Sequence, residues 1–295
     1  MTMARSLTPA ARSESLIEAL PYIQKFRGQT FVIKYGGSAM EDDHQVERLL
    51  RDVVFLEAVG INPVLVHGGG KAISSKMRAA GIAPRFVKGL RVTEETAVKI
   101  VEETLDGEIN PGIVRSITAH GGRALGFSGK TVFVSQRLAP VHDADGTEVD
   151  LGFVGEVVNV ITEEVDHAVK KEIVPVISPI GATEDGQVLN INADVAAAAL
   201  AAELKAHKLI FVSDVTGIMR NPAQADSLIP SVTSEQTRTL IKQKVIDGGM
   251  IPKVESAVRA LEKGVEKIHL IGGHIPHCLL LEIFTNAGIG TEIVL

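Results

Sequence analysis

From residue 29 onward, short β-branched runs alternate with stretches of helical spacing, the pattern of strand-helix units that build a mostly parallel sheet. Residues 31–34 (Phe-Val-Ile-Lys) and 63–67 (Pro-Val-Leu-Val-His) predict the first two strands. Between them Val46, Leu49, Leu50, Val53, Val54 and Leu56 share helical spacing, which predicts a helix over 42–59 that Gly60 ends. A second helix is expected after the glycines at 68–70 and a third over 93–105, opened by Thr93 as a cap. Residues 131–160 break this rhythm, with β-rich runs around the turn Ala144-Asp145-Gly146, so a hairpin-like insertion is expected. The alternation resumes with helix 163–171, strand 173–177, a turn at Asp185-Gly186, helix 194–204 and strand 208–212. Helices near 233–246, 252–263 and 279–287 and strands 267–271 and 291–294 complete it. The pattern describes two lobes sharing one continuous sheet, divided near Gly181.

Residues 13–27 stand outside that alternation. Leu16, Leu20, Ile23 and Phe26 form an apolar stripe at helical spacing, and Pro21 should kink the helix that carries it. A helix of this length is marginal alone, so its stripe must be buried, either on its own domain or on another copy of the chain. The pattern leaves both open.

Composition narrows the function classes. The 295 residues are 45% hydrophobic and 22% charged with 28 glycines, which fits a globular enzyme. The single cysteine, Cys278, leaves no internal disulfide and no Cys-rich zinc site, and suits a reducing cytosol. With 30 Lys+Arg against 36 Asp+Glu, the net charge of -6 argues against a broad cationic face for nucleic acid. No run approaches the ~20 apolar residues that span a bilayer. The opening Met-Thr-Met-Ala-Arg-Ser-Leu lacks the apolar centre of a secretory signal, so a cytoplasmic protein is expected.

The chemistry concentrates in glycine loops. The first strand ends Lys34-Tyr35-Gly36-Gly37-Ser38, where Ser38 and Glu41 have the form of a capping box. The second ends His67-Gly68-Gly69-Gly70-Lys71. Either loop alone is read as a tight turn; two such strand-glycine-helix turns at one edge of a parallel sheet favour anion binding. Gly129-Lys130-Thr131 lacks the first glycine of a P-loop, and Gly68-Gly69-Gly70-Lys71-Ala72-Ile73 fails the dinucleotide fingerprint at its last position. Asp143-Ala144-Asp145-Gly146 has too few carboxylates for a calcium loop, and His274 and His277 near Cys278 lack zinc-site spacing.

Two lysines sharpen the picture. Lys34 closes an otherwise apolar strand, where burying an ammonium without a partner is costly. Lys253, after Gly248-Gly249-Met250-Ile251-Pro252, falls in a first helical turn, where a cation opposes the helix dipole unless an anion stands between. Alone it would be a solvated surface lysine. Asn190-Ile191-Asn192-Ala193-Asp194 puts three polar side chains at alternate positions, able to face one ligand, although Asp194 could equally cap the next helix. Arg91 could grip a carboxylate with its planar fork. Ser213-Asp214-Val215-Thr216-Gly217 closes a further strand with a polar turn.

Taken in order, Lys34-Tyr35-Gly36-Gly37, His67-Gly68-Gly69-Gly70, Gly89-Leu90-Arg91-Val92-Thr93, Asn190 to Asp194, Ser213 to Gly217 and Gly248 to Lys253 resemble the amino acid kinase family over nearly the whole chain. The resemblance implies an α/β fold, a three-layer αβα sandwich with a mostly parallel central sheet and a kinked N-terminal helix. It implies an oligomerisation helix over 1–28, an acyl-substrate and dimerisation lobe over 29–181, and an ATP and arginine lobe over 182–295. The implied reaction is ATP-dependent phosphorylation of the side-chain carboxylate of N-acetyl-L-glutamate, with Mg2+ held largely by phosphate oxygens. By position, Lys34 and Lys253 would stabilise the transferring phosphoryl group and Asp194 would orient them. Gly69, Gly70, Arg91, Asn190 and Asn192 would hold the substrate, and Gly36, Gly37, Ser213, Asp214, Gly217 and Gly249 the ATP.

The chain ends resemble the arginine-inhibited branch of the family, which implies a trimer of dimers built through the N-terminal helix. Tyr22, Lys208, His269, Glu282 and Gly288 would line the L-arginine site. Ile271-Gly272-Gly273-His274 departs from the Asp-Gly-Arg-like run that relatives often carry there. The rival expectations are a sister kinase acting on glutamate, aspartate or carbamate, and a non-catalytic arginine or nucleotide sensor. The presence of both Lys34 and Lys253 speaks against the sensor.

Overall fold

Strand Thr30–Tyr35 is buried at five of its six positions and pairs in parallel on both sides, with Asn62–His67 and with Lys208–Ser213. A strand covered on both faces must be apolar throughout, which is why these three read as continuous hydrophobic runs. They form the middle of an eight-stranded sheet in the computed structural model, which describes residues 8–40, 42–143, 145–286 and 288–295. Its order is Ser231–Thr233, Thr291–Val294, Lys267–Gly272, Lys208–Ser213, Thr30–Tyr35, Asn62–His67, Val174–Ile177 and Ala124–Phe127. The register is parallel throughout except where Thr291–Val294 runs against Lys267–Gly272.

Alternate residues of the central strands face opposite layers. Val32, Val64, Val66, Leu209 and Phe211 pack with the helices Ala193–Glu203 and Met250–Glu262. Phe31, Ile33, Tyr35, Leu65, Ile210 and Val212 pack with Asp43–Ala58, Asn110–Ala119 and Cys278–Ile283 on the other side. The result is the expected three-layer αβα sandwich with a mostly parallel sheet.

Four strands from before Gly181 form one half of the sheet and four from after it the other, meeting where Thr30–Tyr35 pairs with Lys208–Ser213. Gly181 itself lies inside Ile180–Ala182, one strand of a small closed barrel completed by Phe133–Arg137, Val154–Val160 and Val188–Ile191. The expected insertion over 131–160 supplies two of those strands, with the short pair Val141–His142 and Glu148–Val149 at its tip.

Several elements differ from expectation. The helix assigned to 93–105 is Glu95–Glu102, continued by a π-helical stretch Glu103–Ile109 and then by Asn110–Ala119. Thr93 does not cap it: fully buried, its hydroxyl donates to the Arg91 carbonyl at 2.9 Å. The edge strand Ala124–Phe127 was not foreseen, because neither face is fully buried and it shows no apolar alternation. The helix carrying Lys253 starts at Met250, so Pro252 is its third residue rather than its first. Proline is tolerated there because the first four N–H groups of a helix lack internal partners anyway. Of the expected Ser38/Glu41 capping box, Glu41 lies outside the described residues, and the helix Asp43–Ala58 is capped instead by Asp42, which accepts from the His44 and Gln45 N–H groups. Ala144, Ala287 and the first seven residues also lie outside the described residues.

The N-terminal helix is Pro9–Phe26, with Pro21 inside it. Phe26 is buried and packs edge-on to Phe31 at 5.3 Å, whereas Leu16 and Ile17 are 69% and 67% exposed and Leu20 is 43% exposed. Among the described residues no helix is long and apolar enough to cross a membrane.

Candidate active site

The carboxyl ends of the central strands deliver Lys34, His67 and Ser213 to one edge of the sheet. The helix Ala193–Glu203 begins at the same edge, and its cap is Asn192: Oδ1 accepts from the N–H groups of Asp194 at 2.9 Å and Val195 at 3.2 Å. This answers the choice left open by the sequence, since with Asn192 capping the helix the Asp194 carboxylate is free for other work.

Asp194 joins the two lysines. Lys34 Nζ lies 2.9 Å from Oδ1, and Lys253 Nζ donates to Oδ2 at 2.7 Å. The Lys34 contact is an ion pair whose alignment falls short of a hydrogen bond. All three groups are largely withdrawn from water, with Lys34 and Lys253 at most 9% exposed. Burial works to raise the Asp194 pKa, but Lys34 and then Lys253 outweigh it and hold the carboxyl well below its ordinary value. Burial, and after it the neighbouring Lys34, depresses Lys253, against the pull of Asp194. Lys253 also stands 5.1 Å above the Phe211 ring. Two ammonium groups facing one carboxylate leave a net positive charge in a poorly solvated place.

The glycine loops meet beside this cluster. A Cβ on Gly36 would stand 2.9 Å from Lys34 Nζ and 3.4 Å from the Gly68 Cα, so a side chain there would push the lysine aside. Gly37 has φ +78°, the left-handed region that favours glycine. A Cβ on Gly69 would collide with Leu105 and Ile109 from the π-helical stretch, 2.5 and 2.8 Å away. Together these loops line a cleft of about 460 Å3 that also takes in Lys34, Arg91, Asn190 and Asn192.

Arg91 is buried at the far side of the cleft. Its Nη2 donates to the Gly70 carbonyl at 2.6 Å and Ser74 Oγ at 2.9 Å, and its guanidinium stacks 4.6 Å from the Phe86 ring. Among the described residues no carboxylate comes within ion-pairing distance; burial, then Arg78, works against its charge. Asn190 donates to Thr93 Oγ1 at 3.1 Å, so Thr93 links the two expected substrate residues. The sequence did not single out Thr93 for this, nor Ser74, Phe86 or Asn110; the apolar and polar surroundings of each give no local signal.

Of the residues expected at the nucleotide, Ser213 ends its strand and Gly36 follows the end of the neighbouring one, Tyr35 pairing with Val212 just before them. Ser213 Oγ donates to the Val215 carbonyl at 3.3 Å, and Gly217 packs against Thr291, where a Cβ would stand 2.6 Å from Oγ1. Asp214 is exposed in that turn and near enough to Lys253 to pull on its charge, while Gly249 immediately precedes the helix of Lys253.

The residues expected at an arginine site also gather. Lys208 Nζ lies 2.8 Å from His269 Nε2, and His269 Nδ1 lies 2.5 Å from Glu282 Oε1. Glu282 Oε2 accepts from the N–H groups of Ile289 at 2.7 Å and Gly290 at 3.2 Å, and a Cβ on Gly288 would stand 3.0 Å from it. Tyr22 donates to Asn286 at 2.6 Å and meets Phe284 edge-on at 6.4 Å. Burial brings Lys208 down to about 8 and lowers His269; Glu282 is itself held low, its burial outweighed by His269 and the two backbone donors.

A sandwich of this topology, with two lysines and glycine loops at one sheet edge, has the charge and the backbone donors that suit a phosphotransferase. Residues 29–272 match the profile of the Amino acid kinase family, and the chain belongs to that family. It is 52% identical to an acetylglutamate kinase of Akkermansia muciniphila over 281 residues, 95% of this chain and 94% of that one. Among solved structures it is similar to the N-acetylglutamate synthase of Neisseria gonorrhoeae complexed with coenzyme A and N-acetyl-glutamate, with a TM-score of 0.83 and 26% identity. That match covers 96% of this chain but only 63% of the synthase. The same synthase complexed with coenzyme A and L-arginine gives a TM-score of 0.81 at 25% identity, over 96% of this chain and 65% of that one.

Proposed function

We propose that this chain transfers the γ-phosphoryl group of ATP to the side-chain carboxylate of N-acetyl-L-glutamate, a step of arginine biosynthesis. The observation that carries the reading is the buried Lys34–Asp194–Lys253 cluster with its surplus positive charge beside a glycine-lined cleft. The high identity to an acetylglutamate kinase over nearly the full length of both chains supports the substrate.

The chemistry asks little covalent help. A carboxylate oxygen attacks the γ-phosphorus, the bond to the β–γ bridging oxygen breaks, and ADP leaves with that electron pair; no proton need be removed from the nucleophile. What remains is positioning and neutralisation of charge on the phosphoryl oxygens. Lys34 and Lys253 supply that neutralisation, and Asp194 holds them apart at a fixed spacing. Gly69 and Gly70 offer N–H groups to the reacting carboxylate. Arg91, a buried cation with no acidic partner of its own among the described residues, takes the α-carboxylate. Asn190 contacts the substrate beside it, and Asn192, its oxygen committed to the cap, has only its NH2 group to offer. Gly36, Gly37, Ser213, Asp214, Gly217 and Gly249 surround the ATP, whose phosphate oxygens would hold a Mg2+ that offsets part of their charge.

The test is turnover with magnesium-ATP and, separately, N-acetyl-L-glutamate, glutamate, aspartate and carbamate, reading ADP throughout and trapping acyl phosphate as hydroxamate. ADP release coupled to hydroxamate for the acetylated substrate alone is expected. Turnover only with another acceptor would move the assignment to a sister kinase, and ATP binding with no turnover on any would favour a sensor.

Control belongs to a second cluster. Lys208, His269 and Glu282 with Tyr22 and Gly288 offer a cation for a carboxylate and a carboxylate for a guanidinium, which suits L-arginine as an inhibitor. The exposed Leu16, Ile17 and Leu20 suit burial against another copy, linking dimers into a trimer of dimers. Sedimentation of the protein and of Leu16→Glu/Ile17→Glu checks this: a fall from a larger assembly to a dimer is expected, and an unchanged assembly contradicts it.

A further inference from the structure

The glycines at 68–70 are useful to a substrate only if their peptide groups face the right way, and one fully buried side chain governs that. His67 ends the strand Asn62–His67 with no exposure to water, and its Nδ1 lies 2.8 Å from the carbonyl oxygen of Gly68. Its Nε2 lies 3.3 Å from Nδ2 of Asn110, another buried residue, at the joint between the π-helical stretch and the helix that follows it. The Asn110 amide is oriented by its surroundings, because Nδ2 also lies 2.9 Å from the Val176 carbonyl, which can only accept.

These contacts select one form of the imidazole. Asn110 donates to Nε2, which must therefore be the unprotonated nitrogen, and Gly68 O requires a proton on Nδ1. Burial keeps the ring neutral, lowering its pKa to about 4. The reversed tautomer would set two N–H groups against each other at Nε2 and two lone pairs against each other at Nδ1.

Resting on the phosphoryl transfer proposed above, we infer that His67 is a positioning residue, and that Asn110 sets its tautomer. In a planar trans peptide the C=O and the N–H point in opposite directions. Holding the Gly68 carbonyl toward the buried ring therefore turns the Gly69 N–H the other way, into the cleft that Gly68, Gly69 and Gly70 line. The other peptide of Gly68 is fixed as well, its N–H donating to the Tyr35 carbonyl at 2.6 Å. With both sides of Gly68 held, the Gly69 donor is preorganised toward the oxygen on which charge changes during transfer, where a donor is worth most. Lacking the imidazole, the peptide is free to rotate and present its carbonyl to an anionic substrate.

His67→Asn keeps an N–H near the Nδ1 position, whereas His67→Leu removes it. Steady-state kinetics of both, beside wild type, tests the role. The Leu variant should lose about 10²-fold in kcat with its KM for ATP within about threefold, and the Asn variant should recover most of that loss. Equal losses in the two variants, or losses confined to the KM for ATP, would overturn the inference. Wild type without turnover on N-acetyl-L-glutamate would instead sink the reaction on which it rests. If the Leu variant does not fold, His67→Gln takes its place, since its amide reaches the Nε2 position and cannot serve Gly68. Should neither fold, wild type labelled with 15N in histidine decides: an exchange-protected Nδ1–H is expected at His67, and a protonated Nε2 there refutes the tautomer.

Discussion

Two buried clusters in this molecule are each built on lysine and carboxylate, and they end in opposite states. In the cleft, Lys34 and Lys253 share the single carboxylate of Asp194, leaving one positive charge without a partner. Behind the sheet, Lys208 and Glu282 stand at either end of neutral His269, one cation balanced by one anion, and the second carboxylate oxygen accepts from two backbone donors. The second cluster balances its charge; the first does not. A fold stabilises a buried surplus charge only poorly, so a site that keeps one is prepared for an anion that arrives later. In the proposed reaction that anion is the phosphoryl group of ATP.

Breaking the first cluster should have the largest effect. Asp194→Asn leaves two buried ammonium groups facing each other, and a loss of about 3–5 kcal/mol in stability is expected, read by urea unfolding at neutral pH. In the second cluster Glu282→Gln keeps the shape and forfeits the charge-assisted hydrogen bond from His269, so a smaller loss of about 1–3 kcal/mol is expected. Saturating L-arginine should raise the Tm of wild type and not of this variant; an equal rise in both would remove Glu282 from the proposed arginine site. Asn192→Ala sharpens the distinction between capping and catalysis. Loss of the cap should cost ~1 kcal/mol, and a stability equal to wild type would show that Asp194 had taken over the cap.

A separate effect is one of pH, and it develops only in acid. The pKa of His67 is lowered by burial from 6.5 to about 4, so between those values the unfolded chain binds the proton and the folded one does not. Its contribution to stability is therefore complete above the upper value and shrinks as pH falls toward the lower one. Urea unfolding of wild type across that window should show a steeper decline than His67→Asn; parallel slopes would mean the ring is already charged when folded.

Lys34 was legible in the sequence because a lysine closing an apolar strand before two glycines is an energetic anomaly with few explanations. Lys253 became legible only beside it. The roles within Asn190-Ile191-Asn192-Ala193-Asp194 were not separable in advance, because Asn and Asp cap helices equally well and only the observed bonds of Asn192 assign the cap. Asn110 carries no local signature: it lies in a continuous helical run, and its partners at Val176 and His67 come from distant parts of the chain. The same holds for the edge strand Ala124–Phe127, whose short, half-exposed sequence forms a strand only because Val174–Ile177 offers its backbone. The central strands needed no such help, since burial on both faces writes itself into the sequence as an apolar run.

The central claim is that the surplus charge of the lysine pair belongs to the transferring phosphoryl group. Its most direct measurement is ADP release at saturating magnesium-ATP and N-acetyl-L-glutamate for wild type, Lys34→Ala and Lys253→Ala, with circular dichroism to establish that all three fold alike. Each variant should lose about 10²–10³-fold or more in kcat while keeping a native spectrum. Near-wild-type turnover in either variant would contradict the claim.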